Sequence, residues 1–156
     1  LAADNALPRT GAVFITVNDS DKPSAVKLAA RFHELGFTLY ATSGTAAYLR
    51  DRDIPVQSVL KVSEGRPHGV DMILNGEIQL LVNTPLGKHA QVDDERLRQA
   101  AISNRVPYTT TLSAASAAAE AIAARQSREP GVRSLQEWHV ILAASLAASA
   151  ATVGAA

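Results

Sequence analysis

The chain has 156 residues, with 15 Lys plus Arg against 15 Asp plus Glu, and this neutral balance gives no reason to expect nucleic acid or an anionic membrane as partner. Its length fits one domain, able to bury a core without disulfides or metal. It has no cysteine, which excludes disulfides, thiolate nucleophiles and thiolate metal sites and suits a cytoplasmic setting.

The opening residues Leu1 to Asn5 have neither an initiator methionine nor the basic start and apolar run of a signal peptide. Residues 1–10 are expected to be a linker from a preceding domain. Ala12 to Val17 is a continuous apolar, β-branched run, the pattern of a buried parallel strand, and Asn18 to Asp21 can cap a following helix. From Pro23 to Leu35 the residues Ala25, Leu28, Ala29 and Phe32 share one helical face, and Gly36 can close the helix. Phe37 to Ala41 repeats the strand signal, and Thr42-Ser43-Gly44-Thr45 is expected as a polar turn into a short helix from Ala46 to Arg52.

Val56 to Val59 is a third short strand, followed by a long loop from Leu60 to Gly69 and a brief helix at Asp71 to Leu74. A fourth strand runs from Ile78 to Val82. Asp93 or Asp94 can cap a helix through Ile102, Val106 to Tyr108 gives a weak fifth strand, and Ser113 to Ala124 is an alanine-rich helix. This alternation predicts an α/β three-layer sandwich over residues 11–139, its mainly parallel sheet of roughly five strands flanked by helices. Residues 140–156 form an uncharged tail rich in alanine, expected to be helical or disordered rather than a membrane span.

In such sheets ligands bind outside the strand carboxyl ends, so the residues just after each strand are the informative ones. Here they are Lys22, Thr42-Ser43-Gly44-Thr45, Lys61 and Asn83-Thr84. Gly44 permits close backbone approach, amides at a helix start can face a phosphate, threonine hydroxyls add donors, and two lysines neutralise charge. Each piece alone fits a plainer role, a solvated lysine or a helix cap. Convergence of four strand ends on one rim favours the phosphate reading.

No Walker A pattern and no GxGxxG occurs, since Gly87-Lys88 is followed by His89. His33, His68, His89 and His139 lack metal-ligand spacing, and Asp93-Asp94-Glu95 reads as a helix-start charge preference, so neither a metal site nor a catalytic residue is expected. Arg66-Pro67-His68 could form a lid or offer a catalytic histidine, but His68 has no telling partner and reads as a loop hydrogen-bonder.

Four pieces of the chain resemble the methylglyoxal-synthase-like superfamily, and more closely its branch of regulatory domains in carbamoyl phosphate synthetase large subunits. They are Asp21-Lys22, Gly36-Phe37 with Ala41-Thr42-Ser43-Gly44-Thr45-Ala46, the run Lys61-Val62-Ser63-Glu64-Gly65-Arg66-Pro67-His68, and Leu81-Val82-Asn83-Thr84. The resemblance implies that Lys22, Thr42, Thr45, Lys61, Asn83 and Thr84 surround the phosphate and ribose of a nucleotide monophosphate. In that family uridine monophosphate typically inhibits, and inosine monophosphate is the candidate activator. It also implies a domain without a cofactor, joined to the rest of a large subunit that uses ATP with Mg or Mn and acts with a glutaminase small subunit. Thr110 resembles part of the family's domain-contact segment, and with Arg66 and His68, on the polar loop beside the pocket, it is the candidate for interdomain coupling.

Two enzyme alternatives share the fold: a methylglyoxal synthase acting on dihydroxyacetone phosphate, and a cyclohydrolase-type domain of purine synthesis. Methylglyoxal synthases carry a Gly-Gly-Asp run whose carboxylate moves the proton, whereas this chain reads Gly65-Arg66-Pro67, and a guanidinium is no base at neutral pH. Cyclohydrolase-type domains usually continue the loop differently from Glu64 to His68. Pro85 and Asp94 stand where many nucleotide-binding members have a hydroxyl residue.

Overall fold

The computed structural model describes residues 6–84 and 91–127. Residues 85–90, the Trp138-His139 pair and the 140–156 tail lie outside the described residues. Five strands alternate with five helices: β1 (Ala12–Thr16), α1 (Lys22–Glu34), β2 (Thr38–Thr42), α2 (Ser43–Arg50), β3 (Gln57–Val59), α3 (Gly69–Leu74), β4 (Leu80–Asn83), α4 (Gln91–Ser103), β5 (Tyr108–Thr109) and α5 (Leu112–Ser127). All pairings are parallel, in the order β3-β2-β1-β4-β5. The strand order reverses direction between β1 and β4, and a crevice opens at such a point beyond the strand carboxyl ends.

Alternation along β1 builds both layers. Val13 and Ile15 face a core completed by Ala25, Leu28, Ala29 and Phe32 of α1, Leu49 of α2, and Ala115, Ala119 and Ile122 of α5. Ala12 and Phe14 face the other core, with Met72 and Ile73 of α3 and Leu97, Ala100 and Ala101 of α4. Because both faces are covered, β1 is buried at all five positions and reads as an unbroken apolar run. Phe32 and Phe37 meet edge-on with centroids 5.8 Å apart, a favoured aromatic arrangement that joins the end of α1 to the entry of β2.

Several boundaries differ from the sequence expectation. Thr42 is the last residue of β2, and Ser43, Gly44 and Thr45 form the first turn of α2, so this helix begins three residues before the expected Ala46. β4 is shifted toward Asn83, β5 is only two residues, and α4 starts at Gln91, which places Asp93 and Asp94 within its first turn. Residues 7–9, expected as linker, are held to the end of α5: Arg125 donates to the Leu7 carbonyl at 3.1 Å and Gln126 to that of Arg9 at 2.6 Å.

Candidate functional site

The strand ends carry their polar side chains to one place. Thr16 pairs in register with Asn83, and Thr42 follows the Ile15–Ala41 pair, so all three leave the sheet on the face that also carries Phe14. There a cavity of about 280 Å³ opens between the sheet, the loop after β3 and the first turns of α4. Phe14, Leu60, Val62 and Leu97 give it apolar walls, while Thr16, Thr42, Lys61, Ser63, Asp93 and Asp94 give it polar ones. Asn83 is 2% exposed, and its Oδ1 has no hydrogen-bond partner among the described residues.

Lys22, the first residue of α1, is folded against the start of α2. Its Nζ lies 3.5 Å from where a Cβ on Gly44 would stand, so the ammonium overlooks the helix turn whose amides lack intrahelical acceptors. Thr42 and Thr45 are buried under this turn, with their hydroxyls 3.4 Å apart. Ser43 is exposed, 3.5 Å from the Ser58 hydroxyl. Lys22 also forms an ion pair with Asp19 at 2.6 Å. The Asp19 carboxyl is held below the usual carboxylate range, first by the Lys22 hydrogen bond and charge, with the Lys61 charge adding to them. Both lysines thus contribute to the field at Asp19, Lys22 far more directly.

Thr84, Arg66, His68 and Thr110 do not line this cavity. Thr84 is 1% exposed, and its hydroxyl accepts from the Asn18 amide at 3.1 Å while its own amide donates to the Thr16 carbonyl at 3.0 Å; it braces the turn after β1. His68 caps α3: its Nδ1 accepts from the Asp71 amide at 3.3 Å, and its own amide donates to Asp71 Oδ2 at 3.1 Å. That reciprocal pair is a capping box with histidine as the cap. Arg66 extends into solvent, 3.6 Å from Asp71, and both Arg66 and His68 line a groove between α3 and α4 instead of the cavity. Thr110 is exposed in the turn from β5 to α5 and is not among the cavity residues.

Sequence reasoning did not name Phe14, Thr16, Ser63, Asp93 or Leu97 as cavity residues, whereas the family resemblance had already set Asp94 among the nucleotide-contact positions. Thr16 could have been found by extending the strand-end rule back one residue. Asp93 and Asp94 were read as a helix-start preference, and they do occupy such a position; only the packing of α4 over β1 gives them a second role. Among the described residues no group of three His, Asp or Glu side chains is placed to hold a metal ion. No described helix is long and apolar enough to cross a membrane.

With this fold and strand-end cavity, the chain belongs to the MGS-like domain family, whose model matches residues 24–110. It is similar to stretches of carbamoyl phosphate synthase large chains. It is 74% identical over 154 residues to that of Gemmatimonas aurantiaca, covering 99% of this chain and 14% of the relative. It is 48% identical to the C-terminal section of the large chain from Aquifex aeolicus, covering 90% of this chain and 27% of that protein. Against the arginine-specific chloroplastic large chain of Arabidopsis thaliana it is 45% identical, covering 88% of this chain and 12% of the other. The chain thus spans about one-seventh of the full-length large chain it matches at the highest of these identities.

Proposed function

We propose that this chain is the regulatory domain of a carbamoyl phosphate synthetase, and that it binds a nucleotide monophosphate at the strand carboxyl ends while performing no chemistry itself. The observation that carries the reading is the placement of Lys22 over the first turn of α2, which also holds Thr45, with Thr42 and Lys61 on the wall of the adjoining cavity. A phosphate there meets the first-turn amides of α2, threonine hydroxyls and two ammonium groups. Charge-assisted hydrogen bonds of roughly 1.5–3 kcal/mol each bring a phosphate dianion to micromolar affinity. The cavity of about 280 Å³ takes the remaining, less charged part of the ligand: the Asp93 and Asp94 carboxylates accept from hydroxyl or N–H groups, and Phe14 and Leu97 cover an apolar face.

In this reading the nucleotide acts on the rest of the large chain, an ATP- and Mg- or Mn-dependent ligase working with a glutaminase subunit in the cytoplasm. Its influence is set by the difference in its affinity for two states of the whole protein. A lyase acting on dihydroxyacetone phosphate is the second reading, supported by the two carboxylates in the cavity wall. One assay separates them. Incubating the chain with dihydroxyacetone phosphate is expected to give no enzyme-dependent methylglyoxal, and turnover lost on substituting Asp93 or Asp94 overturns the regulatory reading.

A further inference from the structure

Resting on that reading, we infer that Asp19 is a built-in competitor for the ligand's phosphate: its carboxylate occupies the Lys22 ammonium that the phosphate requires, and so sets the affinity of the site. The geometry is specific. Asp19 Oδ1 lies 2.6 Å from Lys22 Nζ, at the short end of charge-assisted contacts. The Lys22 side chain is only 19% exposed and overlooks Gly44, whereas that of Asp19 is 92% exposed. The lysine is thus fixed over the helix start, and the carboxylate is free to swing into solvent. It also lies in the field of Lys61, so one carboxylate answers both lysines assigned to the phosphate.

Among the described residues the Asp19 side chain makes no other hydrogen bond or ion pair. Asp21, not Asp19, stands at the N-cap of α1. The turn after β1 is organised by Asn18, whose Oδ1 accepts from the Asp21 amide at 2.9 Å and the Ser20 hydroxyl at 2.6 Å, and whose own amide donates to Thr84. A phosphate arriving at Lys22 must displace the Asp19 carboxylate or sit beside it, and two anions sharing one ammonium repel each other. Asp19 therefore weakens binding of any phosphorylated ligand without touching the part that tells one nucleotide from another.

The test is a double-mutant cycle read by calorimetric titration of uridine monophosphate into the chain, using Asp19→Asn, Lys22→Ala and the pair. Asp19→Asn is expected to tighten binding by about three- to tenfold at low salt, with the thermal midpoint unchanged. In the Lys22→Ala background the same substitution is expected to change affinity less than about twofold. Equal or weaker binding by Asp19→Asn, in a chain whose wild type binds, overturns the inference and leaves the nucleotide reading standing. So does a gain that survives intact without Lys22. If neither wild type nor Asp19→Asn binds uridine or inosine monophosphate, both the nucleotide reading and this inference fall.

Discussion

Ser63 donates its hydroxyl to Asp93 Oδ2 at 2.9 Å, and this contact joins the loop after β3 to the first turn of α4 beside the cavity that both residues line. Lys61 stands two residues before Ser63, so the contact also limits how far that lysine can move from the strand ends.

Removing the clamp is expected to loosen the loop more than the fold. In Ser63→Ala the amides of residues 61–66 should exchange with deuterium faster, and nucleotide monophosphate affinity should fall by about two- to tenfold, the worth of one net hydrogen bond. Unchanged exchange in this loop would show that Leu60, which bridges to His68, holds it without help from α4.

The layers were legible in the sequence because their signals are local. The spacing of Ala25, Leu28, Ala29 and Phe32 gave the buried face of α1, and these four are the buried residues of that helix. The start of α2 was misplaced because Thr-Ser-Gly-Thr has the composition of a turn; in the fold Gly44 is an exposed position of the first helical turn, with Lys22 above it and Thr45 buried. The site was half legible. Strand-end logic named Lys22, Thr42 and Lys61, but it passed over Asp19, whose pairing with Lys22 is a local i,i+3 contact, and the burial of Asp94 to 5% exposure is a product of packing. No spacing rule reaches across the 39 positions from Lys22 to Lys61.

Gly69 shows how tightly α3 is laid against the sheet. A Cβ there would stand 2.6 Å from Phe14 Cε1 and 3.0 Å from Leu97 Cδ2, so the Phe14 ring or α3 itself must shift to admit it. Gly69→Ala is expected to cost about 1–3 kcal/mol, an overpacking penalty, measured as a lower urea midpoint with unchanged slope. Wild-type stability would mean that α3 shifts freely on the sheet.

Arg31 and Glu120 tie α1 to α5 through two contacts, at 2.9 and 3.2 Å. The Arg31 guanidinium beside Glu120 holds its carboxyl below the usual glutamate range. A group lowered on folding adds stability that is fully present above its unfolded pKa, about 4.3, and is lost as pH falls through the folded value. The stability gap between wild type and Glu120→Gln should thus be largest near pH 7 and shrink toward pH 3, remaining small because both side chains are exposed. A gap independent of pH in urea titrations would assign the effect to packing.

Thr110, exposed and outside the cavity, is the proposed route from the nucleotide to the rest of the synthetase. In a full-length large chain Thr110→Ala should leave nucleotide affinity within about a few-fold while reducing a coupling typically of about 1–3 kcal/mol. Binding and activity titrations on the same variant check this. Parallel loss of both would move Thr110 into the site, and intact coupling would send the signal by another path.

The proposed phosphate site joins Lys22, over the start of α2, with Lys61 on the wall of the adjoining cavity. Calorimetric titration tests it, comparing uridine and inosine monophosphates with their nucleosides on wild type, Lys22→Ala and Lys61→Ala. One-to-one micromolar binding of at least one monophosphate is expected, with much weaker binding of its nucleoside and a loss of about 10- to 100-fold in each variant, equal to roughly 1.5–3 kcal/mol of charge-assisted contact. Nucleotide binding that ignores both substitutions, with the fold intact by circular dichroism, or no binding by the wild type, would contradict it.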